Sequence, residues 1–296
     1  MAKGRFCGLR FATRNCNWQT TILKLTGVHS SLFFIDMGNS PCWPKGNIKL
    51  PASSITIVAL SDSHSLHTSL SADWPLADVL VHTGDLTQYG TKEELRSVIA
   101  WLATLPYEHK VVIAGNHDVG LDKDCTYRSV LARRAGTYAT PEETDVLIST
   151  MKQQNIIYLS PTNRVAELVI RGSVLRIYGL PFSPISIGPS AFVRPRFDDC
   201  WSDIQPGPYD LLLSHSPPRG HLDRNCRGEH IGCDHFLSAI RRVQPSAVVF
   251  GHVHEARGSD IIEWENGTST RLYNAAIMNR DQSLSPLTVF EITPLH

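Results

Sequence analysis

The segment 55-ITIVALSDSH-64 joins an apolar run to a short stretch that carries two metal-ligating residue types. Its β-branched residues are typical of a strand that is buried on both faces within a layered sheet. Asp62 and His64 follow directly, at the point where the strand is expected to end. One such junction is a weak signal, so its meaning depends on the rest of the chain.

The same junction recurs four times further along the chain. Apolar runs end at residues 84–85, 115–118, 215 and 251–254, and each end carries aspartate, asparagine or histidine. The carboxyl ends of neighbouring strands lie at one edge of an open α/β sheet, where such sheets bind ligands. Five polar clusters at five strand ends therefore predict one site.

Helix and hairpin signals occupy the segments around these strands. Thr91 and Thr140 each stand three residues before a glutamate at the start of a helical pattern, which is the arrangement of a capping box. A third helix is predicted over 234–243. Gly172 and the Asn-Gly pair at 266–267 separate strand-like runs and predict hairpins. Together these patterns predict an α/β protein.

The composition excludes two classes of function. Of the 296 residues, 42% are hydrophobic and 19% are charged, as is typical of a globular protein with a full core. Lys and Arg number 28, as do Asp and Glu, so no net charge favours stable nucleic-acid binding. No apolar stretch reaches the roughly 20 residues of a membrane span. The oligomeric state stays open.

Residues 1–50 are predicted to be an N-terminal extension and linker, ahead of one domain over 51–296. The first 35 residues contain five basic residues, and the first acidic residue is Asp36. We interpret this as a basic surface extension, with a mitochondrial transit peptide as the alternative. The seven cysteines are scattered and form no C-x-x-C pair, which favours a reducing, cytoplasmic compartment.

The five clusters supply carboxylates, an asparagine carbonyl and imidazoles, but no thiolate. This mixture suits manganese, iron, zinc or magnesium. Asp85 could bridge two ions while the remaining ligands divide into two sets. Two ions roughly 3.5–4 Å apart can clamp the attacking and leaving oxygens of a displacement at phosphorus.

The ordered motifs resemble those of the calcineurin-like metallophosphoesterase superfamily. They are D-x-H at 62–64, G-D at 84–85, G-N-H-D at 115–118, the single His215 and G-H-x-H at 251–254. The stretches HSPPRG (215–220) and YNAA (273–276) are similar to the small metallophosphoesterase-domain branch related to class III cyclic nucleotide phosphodiesterases. The resemblance implies a metallo-dependent phosphatase-like fold, a four-layer α-β-β-α sandwich with two mixed sheets.

The resemblance also implies a role for each matching residue. It divides the metal ligands into two sets with one bridging carboxylate: Asp62, His64 and His254 for one ion, Asn116, His215 and His252 for the other, and Asp85 between them. Manganese is the favoured ion. His117 would contact the phosphate and protonate the leaving oxygen, and Asp118 would orient its ring. The implied reaction is hydrolysis of a small phosphodiester, such as a cyclic nucleotide, or of a phosphomonoester by a metal-bridging hydroxide.

Three further expectations concern the surroundings of the site. His252 and His254 are expected on one side of an extended segment, because alternate residues of a strand share a face. Arg219 and Asn274 are candidate substrate contacts. Arg219 could instead pair with an acidic loop residue, and Asn274 could instead be a hydrogen bonder behind the predicted ligands or serve a turn. The proline-rich residues 181–201 are either an ordered loop over the metal ligands or a passive excursion.

Two other functions stay open. The same metal site could act as a hydrolase on a non-phosphate specialised metabolite, because a Lewis acid with bound hydroxide also attacks carbonyl carbon. The chain could also be a low-activity scaffold protein, although the presence of Asp85, His117 and His252 argues against this. Thr87 stands where the family often has an amide or a carboxylate, which leaves details of the substrate open.

Overall fold

The computed structural model describes residues 54–70, 73–126, 137–184, 190–204 and 207–295. The predicted extension over residues 1–50, with its transit-peptide alternative, lies outside the described residues. Within the described ranges, none of the helices has both the length and the apolar character that crossing a membrane requires.

The described residues form thirteen strands and three α-helices. The strands are β1 (Ile55–Leu60), β2 (Val79–Thr83), β3 (His109–Ile113), β4 (Ile156–Leu159), β5 (Val165–Ile170), β6 (Ser173–Leu180), β7 (Ser183–Pro184), β8 (Val193–Arg194), β9 (Leu211–Ser214), β10 (Ala247–Phe250), β11 (Gly258–Glu263), β12 (Ser269–Asn274) and β13 (Thr288–Ile292). The helices are α1 (Lys92–Thr104), α2 (Pro141–Gln153) and α3 (Asp234–Val243).

Two large mixed sheets contain most of these strands. The first has the order β13-β1-β2-β3-β4, in which β13 alone is antiparallel to its neighbour. The second has the order β11-β12-β10-β9-β6-β5, with four parallel central strands. Its edges are the two predicted hairpins, β5–β6 and β11–β12. The carboxyl ends of neighbouring parallel strands therefore lie together at one edge of each sheet.

Alternate residues of the central strands face two different cores. In β2, Val79 and Val81 belong to a cluster that contains residues of both sheets, so it lies between them. Leu80 points the other way and belongs to a cluster with helix residues. Val248 of β10 joins that outer cluster together with Phe236 of α3. The layers are thus helix, sheet, sheet and helix, and the predicted four-layer sandwich is confirmed.

Both predicted capping boxes are present. Thr91 Oγ1 accepts from the Glu94 N–H, and the Glu94 carboxylate accepts from the Thr91 N–H. Thr140 and Glu143 repeat the arrangement at the start of α2. The Glu94 carboxylate also accepts from the Gln88 N–H, at 3.2 Å. The start of α1 therefore holds the segment that leaves β2, and this segment reaches the candidate site.

Candidate metal centre

The candidate site lies where the carboxyl ends of the two sheets meet. Asp62 follows β1 and Asp85 follows β2 in the first sheet, whereas His215 follows β9 and His252 follows β10 in the second. The two edges are joined by hydrogen bonds. The His252 N–H donates to Asp62 Oδ2 at 2.9 Å, and the Ser61 N–H donates to a carbonyl of the other sheet at 2.9 Å. The sheets therefore build one site together.

Four of the predicted ligands have left-handed backbone. The φ angles are 56° for Asp62, 41° for His64, 51° for Asp85 and 69° for His252. Such a conformation costs a non-glycine residue about 1–3 kcal/mol and persists only where the surrounding structure fixes it. The turns let each strand end sharply while its side chain stays at the edge of the sheet.

Two glycines permit the close approach of backbone to carboxylate. A Cβ atom on Gly115 would stand 2.3 Å from Asp85 Oδ1. A Cβ atom on Gly251 would stand 2.1 Å from Asp62 Oδ2. Both distances are far below contact distance, so only glycine fits at these two positions without displacing a carboxylate.

The predicted ligands form two groups. The outer group is Asp62, His64 and His254, and its three ligand atoms lie within 4.8 Å of one another. The inner group is Asp85, His215 and His252, which meet the same limit, together with Asn116, whose Oδ1 lies 3.0 Å from His215 Nε2. The structure therefore brings together all seven residues that the sequence singled out as ligands.

Asp85 faces both groups. Its Oδ2 lies 3.6 Å from His64 Nε2 and 3.4 Å from His215 Nε2. Its other oxygen, Oδ1, accepts from the His117 N–H at 2.8 Å, which fixes the plane of the carboxylate. Among the described residues, this is the arrangement that the predicted bridging role requires.

The inner group fits a divalent ion because its atoms present lone pairs to one another. His215 Nδ1 lies 2.9 Å from the Thr83 carbonyl oxygen, so Nδ1 carries the hydrogen and Nε2 is left as an acceptor. That Nε2 faces Asn116 Oδ1 at 3.0 Å and Asp85 Oδ2 at 3.4 Å. Acceptors this close repel one another unless a cation or a proton lies among them.

The outer group fits an ion for a similar reason. The Nε2 atoms of His64 and His254 are 3.3 Å apart, and Asp62 Oδ1 lies 3.2 Å from the latter. His64 Nδ1 is buried and has no hydrogen-bond partner among the described residues. A carboxylate with two imidazoles is a suitable ligand set for a borderline divalent ion.

Burial and charge set the protonation of these groups. Burial lowers the pKa of His64 to about 4, and burial together with the charge of His215 lowers the pKa of His252 to about 4. Burial also acts to lower the pKa of His215, but Asp85 and Asp62 outweigh it and raise that pKa to about 9. Burial alone would raise the pKa of Asp85, yet the neighbouring imidazoles hold it well below its usual value. Asp85 thus stabilises a positive charge beside it, either a proton on His215 Nε2 or a cation.

His117 lies against both groups without belonging to the predicted ligand set. Its ring meets the His64 ring edge-on, with centroids 4.7 Å apart. Its Nδ1 lies 2.7 Å from the Gln88 carbonyl oxygen, so Nδ1 donates there and fixes the ring. A backbone carbonyl carries no signature in the sequence, which is why the role of Gln88 was not predicted.

The predicted role of Asp118 is wrong. Its buried carboxylate accepts from the Leu86, Thr87 and Gly115 N–H groups at 2.8–3.1 Å and from the Thr87 hydroxyl at 2.7 Å. These bonds occupy the carboxylate, so it does not orient the His117 ring. Asp118 instead joins the loops that follow β2 and β3, and Thr87 takes part in this arrangement.

The conformation predicted for residues 252–254 is also wrong. His252 has left-handed backbone, and His254 begins a short 3-10 turn, His254–Ala256. The two rings consequently reach different groups, His252 the inner and His254 the outer one. This placement agrees with the expectation that the two histidines serve neighbouring ions. It arises from a turn and not from the expected extended segment.

Neither candidate substrate contact is presented to the site in the expected way. Asn274 is fully buried, and its amide donates to the Val253 carbonyl at 2.8 Å and accepts from the Ala276 N–H at 3.2 Å. The prediction that Asn274 contacts substrate is therefore wrong, because it holds the residue between the two histidines instead. Arg219 donates to the His230 carbonyl at 2.6 Å and so stabilises its own loop.

The described part of residues 181–201 contacts the ligand loops. The Ala191 N–H donates to the Asn116 carbonyl at 2.9 Å, and the Phe192 N–H donates to Asp122 Oδ2 at 2.7 Å. The short pair β7–β8 closes the base of this segment. These contacts favour the ordered loop over the passive excursion.

Comparisons with known proteins agree with this geometry. Residues 55–256 match the family described as calcineurin-like phosphoesterase. Metallophosphoesterase domain-containing protein 1 of Homo sapiens is 33% identical over 253 residues, which cover 82% of this chain and 72% of that protein. Probable rhamnogalacturonate lyase C of Emericella nidulans is 36% identical over 214 residues, 71% of this chain, but the match spans only 18% of that protein.

A comparison with solved structures finds the phosphopantetheinyl hydrolase of Mycobacterium tuberculosis. It is 16% identical, with a TM-score of 0.47, over 77% of this chain and 90% of that chain.

Proposed function

Because this chain belongs to the calcineurin-like phosphoesterase family, we propose that it hydrolyses a small phosphodiester, such as a cyclic nucleotide, or a phosphomonoester at a two-metal site. The family supports a metal-dependent hydrolase. The observation that carries the two-metal form of the proposal is the position of Asp85, whose carboxylate faces both ligand groups.

Two divalent ions would be held by the residues already grouped. The outer group, Asp62, His64 and His254, would hold one, the inner group would hold the other, and both would share Asp85. When bound, such ions supply Lewis acidity and a hydroxide near neutral pH. The buried carboxylates of Asp62 and Asp85 are fixed by hydrogen bonds. The His252 N–H donates to one oxygen of Asp62, and the His117 N–H donates to one oxygen of Asp85.

His117 supplies the proton in this proposal. Its Nδ1 hydrogen is engaged by the Gln88 carbonyl, which leaves Nε2 as the atom that can exchange a proton with the substrate. An imidazole fixed in this way can donate a proton to the oxygen of a leaving alcohol. Its contact with the His64 ring places it beside both groups of ligands.

The test is turnover of bis-p-nitrophenyl phosphate and of p-nitrophenyl phosphate with added manganese, for the native chain and for His117→Ala. We expect metal-dependent turnover that falls by roughly 10²–10⁴-fold in the variant, the usual contribution of a general acid. The metal content of the variant, measured after gel filtration, should stay at two ions per chain, because His117 is not among the proposed ligands.

The ratio of the two substrates then assigns diester or monoester hydrolysis. Native protein that binds two manganese ions and turns over neither ester would contradict the proposed function. Loss of metal in His117→Ala would contradict the separate role of that residue.

A further inference from the structure

A cleft of about 490 Å³ opens beside the outer group. It begins at His254 and is lined by polar and charged side chains from residues 254–257 and 279–285. One of its walls is therefore a proposed metal ligand. A substrate whose phosphate lies at the metal ligands can place its remaining atoms in this cleft.

Most of the charge in the cleft is compensated within the protein. Arg280 Nη2 lies 2.6 Å from Glu255 Oε1, which forms an ion pair at the surface. Asp281 Oδ1 accepts from the Ser283 N–H at 3.0 Å and from the Ser283 hydroxyl at 2.5 Å. These contacts pair Arg280 with Glu255 and hold the Asp281 carboxylate against Ser283.

Arg257 is the exception among the described residues that line the cleft. Its Nε atom is buried and has no hydrogen-bond partner in the described part of the chain. Its Nη2 atom donates to the Pro286 carbonyl oxygen, a neutral acceptor. A guanidinium with one orphaned donor and no paired anion is a costly arrangement for a folded protein. Arg257 also lines the cleft, so an anion bound there would give the guanidinium charge a partner.

The position of Arg257 is fixed relative to the metal ligands. The short turn His254–Ala256 precedes it, and the Arg257 N–H donates to the His254 carbonyl at 3.4 Å. The backbone of Arg257 is therefore held one short turn away from a proposed ligand.

We propose that the cleft binds the part of the substrate beyond the reacting phosphate, and that Arg257 pairs with an anionic oxygen group there. Carboxylates and phosphates both match the planar fork of a guanidinium. Arg257 is then a specificity-determining residue that favours phosphate esters with a second anionic group. This inference rests on the proposed function, because it assumes that the reacting phosphate lies at the metal ligands.

The experiment measures binding of phosphonates, which are not hydrolysed, by calorimetry with the manganese-loaded protein. Alkylphosphonates are compared with ω-carboxyalkylphosphonates of matched chain length, and bisphosphonates form a second arm that separates a second phosphate from a carboxylate. We expect native protein to bind one of the two series with a second anionic group about tenfold or more tightly than the alkylphosphonates. Arg257→Ala should lose that preference and leave the affinity for alkylphosphonates unchanged.

Two further variants keep the experiment decisive. Arg257→Lys keeps the charge but not the fork, and it should retain part of the preference even if the alanine variant is unstable. Arg241→Ala removes an exposed arginine of α3 and should retain all of it. A preference that persists in Arg257→Ala would mean that the second anion binds the metals directly, and this would overturn the inference.

Turnover of p-nitrophenyl phosphate by the same preparations separates the two proposals. Turnover by a native protein that shows no preference in either arm overturns the role of Arg257 alone. Two bound metals with no turnover of either nitrophenyl ester overturn the proposed function itself.

Discussion

The two sheets contribute different chemistry to the candidate site. The first supplies both carboxylates, Asp62 and Asp85, together with Asn116 and one imidazole, His64, whereas the predicted ligands from the second are all imidazoles, as in His215 and His252. Carboxylates gathered without counter-charges would repel one another, and imidazoles alone would supply no negative charge to a divalent ion. The candidate site therefore exists only where the two sheets pack together.

Each sheet organises its loops around one buried aspartate. Asp118 joins the loops that follow β2 and β3. Asp223 accepts from the Gly220 and Gly232 N–H groups, each at 3.0 Å, in the loop after β9. Burial and the charge of Asp85 raise the pKa of Asp118 to about 6. For Asp223, hydrogen bonds outweigh burial and lower the pKa. The same device thus sits in a different charge environment in each sheet.

The largest effect should follow from removing the shared carboxylate. We expect Asp85→Asn to bind fewer than two manganese ions per chain and to lose more than about a hundredfold in turnover, because both ligand groups face this side chain. Metal content after gel filtration and ester turnover are the two measurements. Asp78→Asn, at the opposite end of β2 and paired with Arg171, is the matched control and should keep both ions. Two bound manganese ions per chain in Asp85→Asn would contradict the shared role of this carboxylate.

A smaller effect should follow from pushing the two sheet edges apart. In Gly251→Ala the new Cβ would stand 2.1 Å from Asp62 Oδ2, so that carboxylate must shift. We expect turnover to fall by roughly tenfold to a hundredfold, since displacements of about 1 Å cost that much. Gly267→Ala has a positive φ but no atom within 4 Å, and it should cost about 1 kcal/mol of stability with native turnover. Equal turnover in the two variants would contradict the close contact.

Acid unfolding tests how much Asp223 contributes to stability. Because the folded pKa of Asp223 is lowered, its stabilisation is complete above the unfolded value of about 4 and is lost as the pH falls through the folded value. We expect native protein to exceed Asp223→Asn in free energy of unfolding by about 1–2 kcal/mol at neutral pH. The difference should close below about pH 4. Urea unfolding over a pH series measures it, and a gap that instead widens in acid would reverse the assigned sign.

The smallest effect concerns the hydroxyl that supports Asp118. Thr87→Val keeps the shape of the side chain but removes the donor that lies 2.7 Å from Asp118 Oδ1. We expect a loss of about 1 kcal/mol in the free energy of unfolding, which chemical denaturation can measure. Thr150→Val removes a hydroxyl that bonds within α2 and should change stability by less than about 0.5 kcal/mol. Equal effects would mean that the Asp118 bond adds no stability.

The sequence predicted the elements whose signals are local. The capping boxes at Thr91 and Thr140, the helix at 234–243 and the two hairpins are present because each depends on residues only a few positions apart. The residues that form the two groups were also recognised as candidates, since each follows a buried strand. The division into an extension over 1–50 and one domain over 51–296 stays a prediction.

The sequence failed where the partner of a side chain is backbone. The sequence does not show that the Gln88 carbonyl accepts a hydrogen bond from His117, or that the Asp118 carboxylate accepts from backbone amide groups. The turn after His252 likewise depends on its contact with Asp62, a residue far away in the chain.

The sequence by itself determined which chemical groups are available, namely carboxylates, an amide and imidazoles at strand ends, because residue type and strand periodicity are written in it. Only the tertiary structure decided which imidazole nitrogen faces the centre, and that a buried arginine nitrogen with no hydrogen-bond partner among the described residues lies beside it. These depend on hydrogen bonds and burial between segments far apart in the chain, and the packing of the two sheets creates both.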